Sequence, residues 1–189
     1  MGSTTHDRPG GLMPRALGIY LNDHLAGATA GAELARRICE AHRASGPAAT
    51  FERLAGEIAQ DRLSLLRIME TLGVPKRRYK VYAGWAGERA ARLKPNGRVL
   101  HRSGLSTVLE LEALLLGIEG KARLWQALLI AADGEPRLDA ARLRELADRA
   151  TEQRDTVERL RAEAVAAVLA PDAKKAEESG EAEQTGETG

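Results

Sequence analysis

The stretch LELEALLLGIEGKARLWQALLIAA, from Leu109 to Ala132, is apolar on nearly every side when it is wound as a helix. A helix without a polar face has to be surrounded by other parts of the protein. We therefore predict that this segment, from about Ser106 to Ala132, is the most enclosed helix of the fold. The fold is then decided by the segments that can surround it.

Three other segments have apolar residues at helical spacing. The first extends from about Leu17 to Ala44, and the second follows Thr50 as its N-cap and stops at Gly73. The last begins at Asp139 and continues to about Leu169. Aromatic residues make up only 3% of the chain, which favours helices over strands. The sequence therefore predicts an all-α protein, a four-helix bundle.

The connections between these segments differ in length. About five residues join the first helix to the second and the third to the fourth, so each pair should form an antiparallel hairpin. The second and third helices are instead separated by residues 73–104, enough to run the length of the bundle. We predict one long crossover, which is the topology of ferritin-like bundles.

The two ends of the chain differ in composition from the bundle at residues 17–169. Residues 1–16 contain Pro and Gly without an apolar period, which predicts a flexible segment. Residues 170–189 have no large apolar residue and an excess of Glu, which predicts a disordered acidic tail.

The charge and the cysteine content limit which partners and which cellular location we expect for the protein. A formal net charge of +1 gives no overall attraction to nucleic acid or to anionic membranes. The single cysteine, Cys39, cannot form an internal disulfide, and the first thirty residues lack an apolar run long enough for a signal peptide or a membrane span. We expect a cytoplasmic protein without a membrane partner.

Two polar residues interrupt the apolar stripes: Asp61 in the second helix and Gln153 in the fourth. Glu119 also lies near the centre of its helix, so we predict a buried polar layer of Asp61, Gln153 and Glu119. An unpaired buried carboxylate costs several kcal/mol. Asp61 therefore needs a salt bridge or a hydrogen bond, to Gln153 or a neighbouring Arg, or else a bound ion. We favour the first of these.

The segments LAGEIAQDRLSLLRIMETLGV, residues 54–74, and ELEALLLGIEGKARLWQAL, residues 110–128, make the chain resemble ferritin-like proteins of the rubrerythrin and bacterioferritin kind. The resemblance covers about residues 17–169 and rests on helix lengths, the crossover and local texture. It implies a mid-bundle site for two metal ions. The ligands would be a Glu from each of helices one and three and a Glu-x-x-His motif from each of helices two and four.

Neither Glu-x-x-His motif is intact in this chain. Asp61 falls where the family has its second-helix histidine, Ile58 where it has the glutamate, and Ala28 where it has the first-helix glutamate. The metal-ligand candidates are therefore Asp61, Glu119, His24, Glu152 and Asp155. The resemblance then implies no cofactor, or iron or manganese if these substitutes bind metal.

The stretch LNDHLAGATAGAEL, residues 21–34, contains His24 beside a run of small residues. The small residues either leave space for a group that His24 holds or let another helix come close. We favour the close contact and assign it to Ala28, Gly31 and Ala32.

Residues 73–104 carry nine Lys and Arg residues against one Glu, with aromatic residues interleaved. Such a cluster could bind the phosphates of nucleic acid or an acidic protein. Alternatively, the aromatic side chains pack inward and the charges solvate a long loop. The polyanion-binding candidates are Lys76, Arg77, Arg78, Lys80, Arg89 and Arg92.

Together these features favour a non-enzymatic interaction or assembly protein whose partner is another protein or a second copy of the chain. One alternative is a variant di-metal carboxylate oxidase or metal-storage protein. The other is binding of nucleic acid or another polyanion through residues 73–104.

Overall fold

The computed structural model describes residues 15–76 and 104–169. These residues form four helices, which we number α1 (Arg15–Ala41), α2 (Ala48–Thr71), α3 (Gly104–Ala132) and α4 (Ala140–Leu169). The described ranges contain no strand, which confirms the all-α prediction. The predictions for residues 1–14 and 170–189, and for residues 77–103 of the long connection, lie outside the described residues.

Local chemistry explains where α2 and α4 begin and end. Asp139 caps α4, because its Oδ1 accepts a hydrogen bond of 3.0 Å from the backbone N–H of Arg142. Gly73, with φ 71°, ends α2 in the left-handed conformation that glycine tolerates best. The prediction that Thr50 caps α2 is wrong, since the N-cap is Pro47, three residues earlier, and no side chain caps the helix there.

The core consists of two hydrophobic clusters at different heights. One contains Leu21, Met69 and Leu146 among its buried residues, and the other contains Ile38 and Leu54. Along α2, α3 and α4 the two clusters are separated by six or seven residues, about two helical turns, and polar side chains that include the buried Asp61 and Gln153 occupy that level. The bundle therefore has an apolar layer, a polar layer and a second apolar layer.

Contacts between helices, and contacts at the two ends of α1, show which parts of the bundle are neighbours. α1 packs against α2 and α3, and α3 packs most extensively against α4. The His42 Nε2 atom, just after α1, lies 3.4 Å from Thr107 Oγ1 at the start of α3. At the other end of α1, Asn22 Nδ2 donates a hydrogen bond of 3.2 Å to the carbonyl of Pro75, just after α2. Pro75 and Thr107 thus lie beside opposite ends of α1.

The helix α3 has a smaller share of exposed residues than the other three described helices, but it is not enclosed on every side. One side of α3 is buried, but Leu116 and Ile130 on its outer side are each 77% exposed. Leu105 and Leu109 are also exposed. An apolar pattern around a helix predicts burial only if neighbours cover every side, and the described helices cover one side of α3.

The Asp139 cap generates the first prediction. Asp139→Ala should lower the free energy of unfolding by about 1 kcal/mol, because the Arg142 N–H loses its acceptor. Urea unfolding followed by circular dichroism measures the change. The matched control is Asp133→Ala, an exposed aspartate in the same connection, which should change stability by much less. Equal losses in the two variants would contradict the capping role.

Candidate functional site

Asp61 is 1% exposed and its carboxylate faces two cations. Lys121 Nζ donates to Asp61 Oδ2 at 2.5 Å, and Arg149 Nη2 donates to Asp61 Oδ1. Gln153 Nε2 also lies 3.3 Å from Asp61 Oδ2. These contacts confirm the prediction that Asp61 pairs with an Arg and with Gln153, and they add Lys121.

Gln153 connects the carboxylates of α2 to the lysine of α3. Its Oε1 accepts a hydrogen bond from Lys121 Nζ, and its Nε2 donates to Glu57 Oε2 at 3.0 Å. The other Glu57 oxygen accepts a hydrogen bond of 2.7 Å from Arg53. We call Glu57, Asp61, Lys121, Arg149 and Gln153 the ion cluster. Its two acids and two bases give no net formal charge.

Helical spacing places these side chains together. Glu57 and Asp61 are four residues apart on α2, and Arg149 and Gln153 are four apart on α4, so each pair shares one helix face. Burial lowers the pKa of Lys121, and the charge and hydrogen bond of Asp61 oppose this shift. The ammonium form of Lys121 therefore depends on Asp61.

The helix α3 supplies Lys121 to this level and not Glu119, so the prediction that Glu119 belongs to the buried polar layer is wrong. The Glu119 carboxylate is half exposed and accepts from Arg123 Nη2 at 2.6 Å. Two residues along a helix correspond to about 200° of rotation, which separates the two side chains. The sequence did contain a signal for Lys121, because it continues the buried stripe of Leu114 and Ile118 at alternating spacings of three and four.

The five predicted metal ligands are not brought together. Glu152 and Asp155 are exposed on α4, and Asp155 pairs with Arg154 at 3.0 Å. His24 is half-buried with its ring edge-on to Tyr20, at a centroid distance of 4.4 Å. Within the described residues, no three His, Cys, Asp or Glu side chains lie close enough together to hold a metal ion.

The residues at mid-bundle do not fit a di-metal centre. Both oxygens of Asp61 are engaged by cationic side chains. Ile58 and Ala28, at the positions where the resemblance implies glutamates, offer no ligand atom. Lys121 and Arg149 supply the positive charge that a metal ion would bring to the carboxylates.

A cavity of about 480 Å³ lies between α1, α2 and α3, beside the ion cluster. Its lining includes Gly27, Ala28 and Gly31 from α1 and Gly117 and Gly120 from α3. A Cβ atom added at any of these four glycines would meet no described atom within 4 Å. The small residues therefore border open space.

The predicted close helix contact is thus wrong for Gly31, while Ala28 packs against the cluster that contains Leu21 and Ala32 packs against the cluster that contains Ile38. Small residues permit a close approach but do not cause one. The larger side chains of the two hydrophobic clusters, above and below this level, set the separation of the helices.

Of the polyanion-binding candidates, Lys76 is described and is exposed at the end of its range. The other five candidates, Arg77, Arg78, Lys80, Arg89 and Arg92, lie outside the described residues.

No family model, curated protein or solved structure matches the chain. Among the helices described, none is both long enough and apolar enough to cross a membrane. The ion cluster, the cavity and the outer side of α3 are therefore the features from which a function can be inferred.

The ion cluster predicts a large effect of removing Asp61. Asp61→Ala should lower the free energy of unfolding by about 3–5 kcal/mol, because it leaves Lys121 and Arg149 without their carboxylate. Asp155→Ala, the matched control on an exposed pair, should cost less than about 1 kcal/mol. Urea unfolding measures both.

The triple variant Asp61→Leu, Lys121→Met and Arg149→Met should recover most of this loss, because apolar groups can replace a buried cluster of ion pairs once no cation is left without its carboxylate. Iron or manganese should not raise the melting temperature of the wild type. A rise that disappears in Asp61→Ala would show that Asp61 is a metal ligand.

The burial of His24 predicts a pH effect. Burial lowers the pKa of His24 below its ordinary value of 6.5, against the opposing charge of Asp23. The unfolded chain therefore binds a proton at His24 more readily than the folded chain, and stability should fall as the pH decreases below 6.5. Wild type should lose more stability than His24→Gln between pH 7.5 and 5. Parallel losses in the two proteins would contradict this assignment.

Proposed function

We propose that this chain is a non-enzymatic, ferritin-like helical bundle that serves as an assembly protein and pairs with a second copy of itself through the outer side of α3. The observation that carries the proposal is the exposure of Leu116 and Ile130, each 77% accessible. Single exposed apolar residues are common on protein surfaces. These two, however, belong to one stripe.

The stripe follows a heptad spacing along α3. Leu109, Leu116 and Ile130 stand at intervals of seven and fourteen residues, with Arg123 at the intervening position. Side chains at this spacing lie on one side of a helix and can contact a second helix along its length. We call Leu109, Leu116, Arg123 and Ile130 the outer stripe.

The charges beside the outer stripe favour a second copy as the occupant. Glu112 and Glu119 accompany its first half, and Arg123 lies in its second half. If two α3 helices pair antiparallel about the middle of the outer stripe, Leu109 of each lies opposite Ile130 of the other and Leu116 lies opposite Arg123. Arg123, which pairs with Glu119 of its own helix, then lies within about one turn of the acidic residues of the other copy. A self-complementary surface of this kind is what a twofold-symmetric dimer requires.

The ferritin-like topology is supported by the positions of the helix ends. Because Pro75 and Thr107 lie beside opposite ends of α1, the connection between them has to cover the length of the bundle. The helix α2, with 24 residues, is about 36 Å long. Residues 77–103 are enough to cover that distance.

The ion cluster supports the non-enzymatic part of the proposal. In ferritin-like enzymes the mid-bundle carboxylates hold metal ions, whereas here Lys121 and Arg149 pair with Asp61. The carboxylate is engaged in holding three helices together and has no free oxygen to offer a metal ion.

The proposal predicts a dimer that a charge on the outer stripe disrupts. Sedimentation equilibrium in the micromolar range should give a dimer for the wild type and a monomer for Ile130→Glu, because a carboxylate would be buried at the interface. The matched control is Leu63→Glu on α2, which is exposed and outside the stripe and should remain dimeric.

The outcomes separate the possible occupants of the outer stripe. A monomeric wild type would overturn the proposal. If Ile130→Glu also destabilised that monomer strongly, the stripe would be covered by another part of the same chain. Dimers in both wild type and Ile130→Glu would show that a different surface mediates association.

A further inference from the structure

We propose that the cavity between α1, α2 and α3 is a binding site for an uncharged, mainly apolar small molecule. This inference goes beyond pairing through α3, although Leu116 of the outer stripe also lines the cavity. It rests on the size of the cavity, on the apolar side chains of its walls and on the pairing of the buried charge in its lining.

The size and the walls fit a small molecule. The volume of about 480 Å³ falls within the range of roughly 300–1,000 Å³ that is common for ligand sites. Ile58, Leu65, Leu124 and Trp125 are buried residues that line it. Apolar cavities of this kind hold water poorly and accept apolar ligands.

The charged groups of the lining favour an uncharged ligand. Asp23 and Asp61 are balanced by Arg62 and Lys121. Asp61 is paired with Lys121, and Arg62 Nε donates to Thr29 Oγ1 at 3.0 Å. The buried charge of the lining, on Asp61, is therefore already paired, and a charged ligand would lose part of its hydration without gaining an unpaired buried counter-charge.

Trp125 adds to the apolar character of the walls. The residue is buried and lines the cavity. Its indole Nε1 has no hydrogen-bond partner in the part of the chain that the structure describes, and the atom is fully enclosed. Other atoms of Trp125 therefore border the cavity, and the indole donor is out of reach of a ligand.

The test replaces a glycine in the wall of the cavity by leucine, whose side chain would occupy part of the cavity. Gly31→Leu places a side chain in space where an added Cβ meets no described atom. Gly56→Leu is the matched control, since Gly56 is exposed in the interior of α2 and is not among the lining residues. Both variants exchange a helical glycine for leucine, so both gain helix propensity.

The probe is N-phenyl-1-naphthylamine, an uncharged apolar fluorophore. Its fluorescence should rise saturably with wild type and with Gly56→Leu, and Gly31→Leu should weaken the affinity about tenfold or more. Decanol, which is uncharged and carries a hydroxyl oxygen, should displace the probe at lower concentration than decanoate.

Thermal unfolding without the probe distinguishes a loss of binding from a loss of stability. Gly31→Leu should melt at or above the wild-type temperature, because the new side chain fills space and removes a helical glycine. A clear loss of stability in Gly31→Leu alone would mean that another part of the chain fills the cavity, and would overturn the proposal. Absence of saturable probe binding to wild type, equal binding by Gly31→Leu, or tighter binding of decanoate than of decanol would also overturn it.

Discussion

The salt bridge between Asp61 and Lys121 fixes how three of the four helices stand against one another. Its atoms lie between two hydrophobic clusters, where either charge alone would be costly. If α3 slid by one turn along α2, Ile118 or Trp125 would face Asp61 and leave the carboxylate without its cation. Such a shift would cost several kcal/mol, whereas apolar side chains alone tolerate many alternative registers. Gln153 and Arg149 impose the same restriction on α4.

The side of a helix on which a residue lies predicted the members of this site better than the position of the residue along the helix did. Asp61 and Gln153 were predicted correctly because each interrupts an apolar stripe, and a residue on such a stripe faces the core. Glu119 was predicted to belong to the buried polar layer because it lies near the middle of its helix, and the structure places it at the surface beside Arg123. Lys121 continues the buried stripe of α3 and could have been found by the same phase argument. Lys121 was not predicted to be part of the layer because a lysine is usually exposed at the surface.

Other features could not be predicted from the sequence because they depend on what surrounds a segment. The start of the last helix at Asp139 depends on a local interaction, and the sequence was enough to predict that start. The apolar pattern of α3 indicates which sides prefer burial but not how many neighbours exist to bury them. Likewise, Gly31 and Ala28 are compatible both with a tight helix contact and with a cavity, since the distance between helices is set by larger side chains at other levels.

The cavity and the ion cluster are two parts of one mid-bundle layer. The helices α2, α3 and α4 contribute the charged and amide side chains of the ion cluster, while α1 lines the cavity with Ala28 and two glycines and, one turn earlier, with Asp23 and His24. Lys121 borders both parts and keeps 11% of its side chain exposed. A large apolar residue at Ala28 would remove more water from the lysine and raise the cost of burying its charge. The small residues of α1 therefore lower the free-energy cost of burying Lys121, whose salt bridge sets the register of the other three helices. They also leave space beside Lys121 in which a ligand can bind.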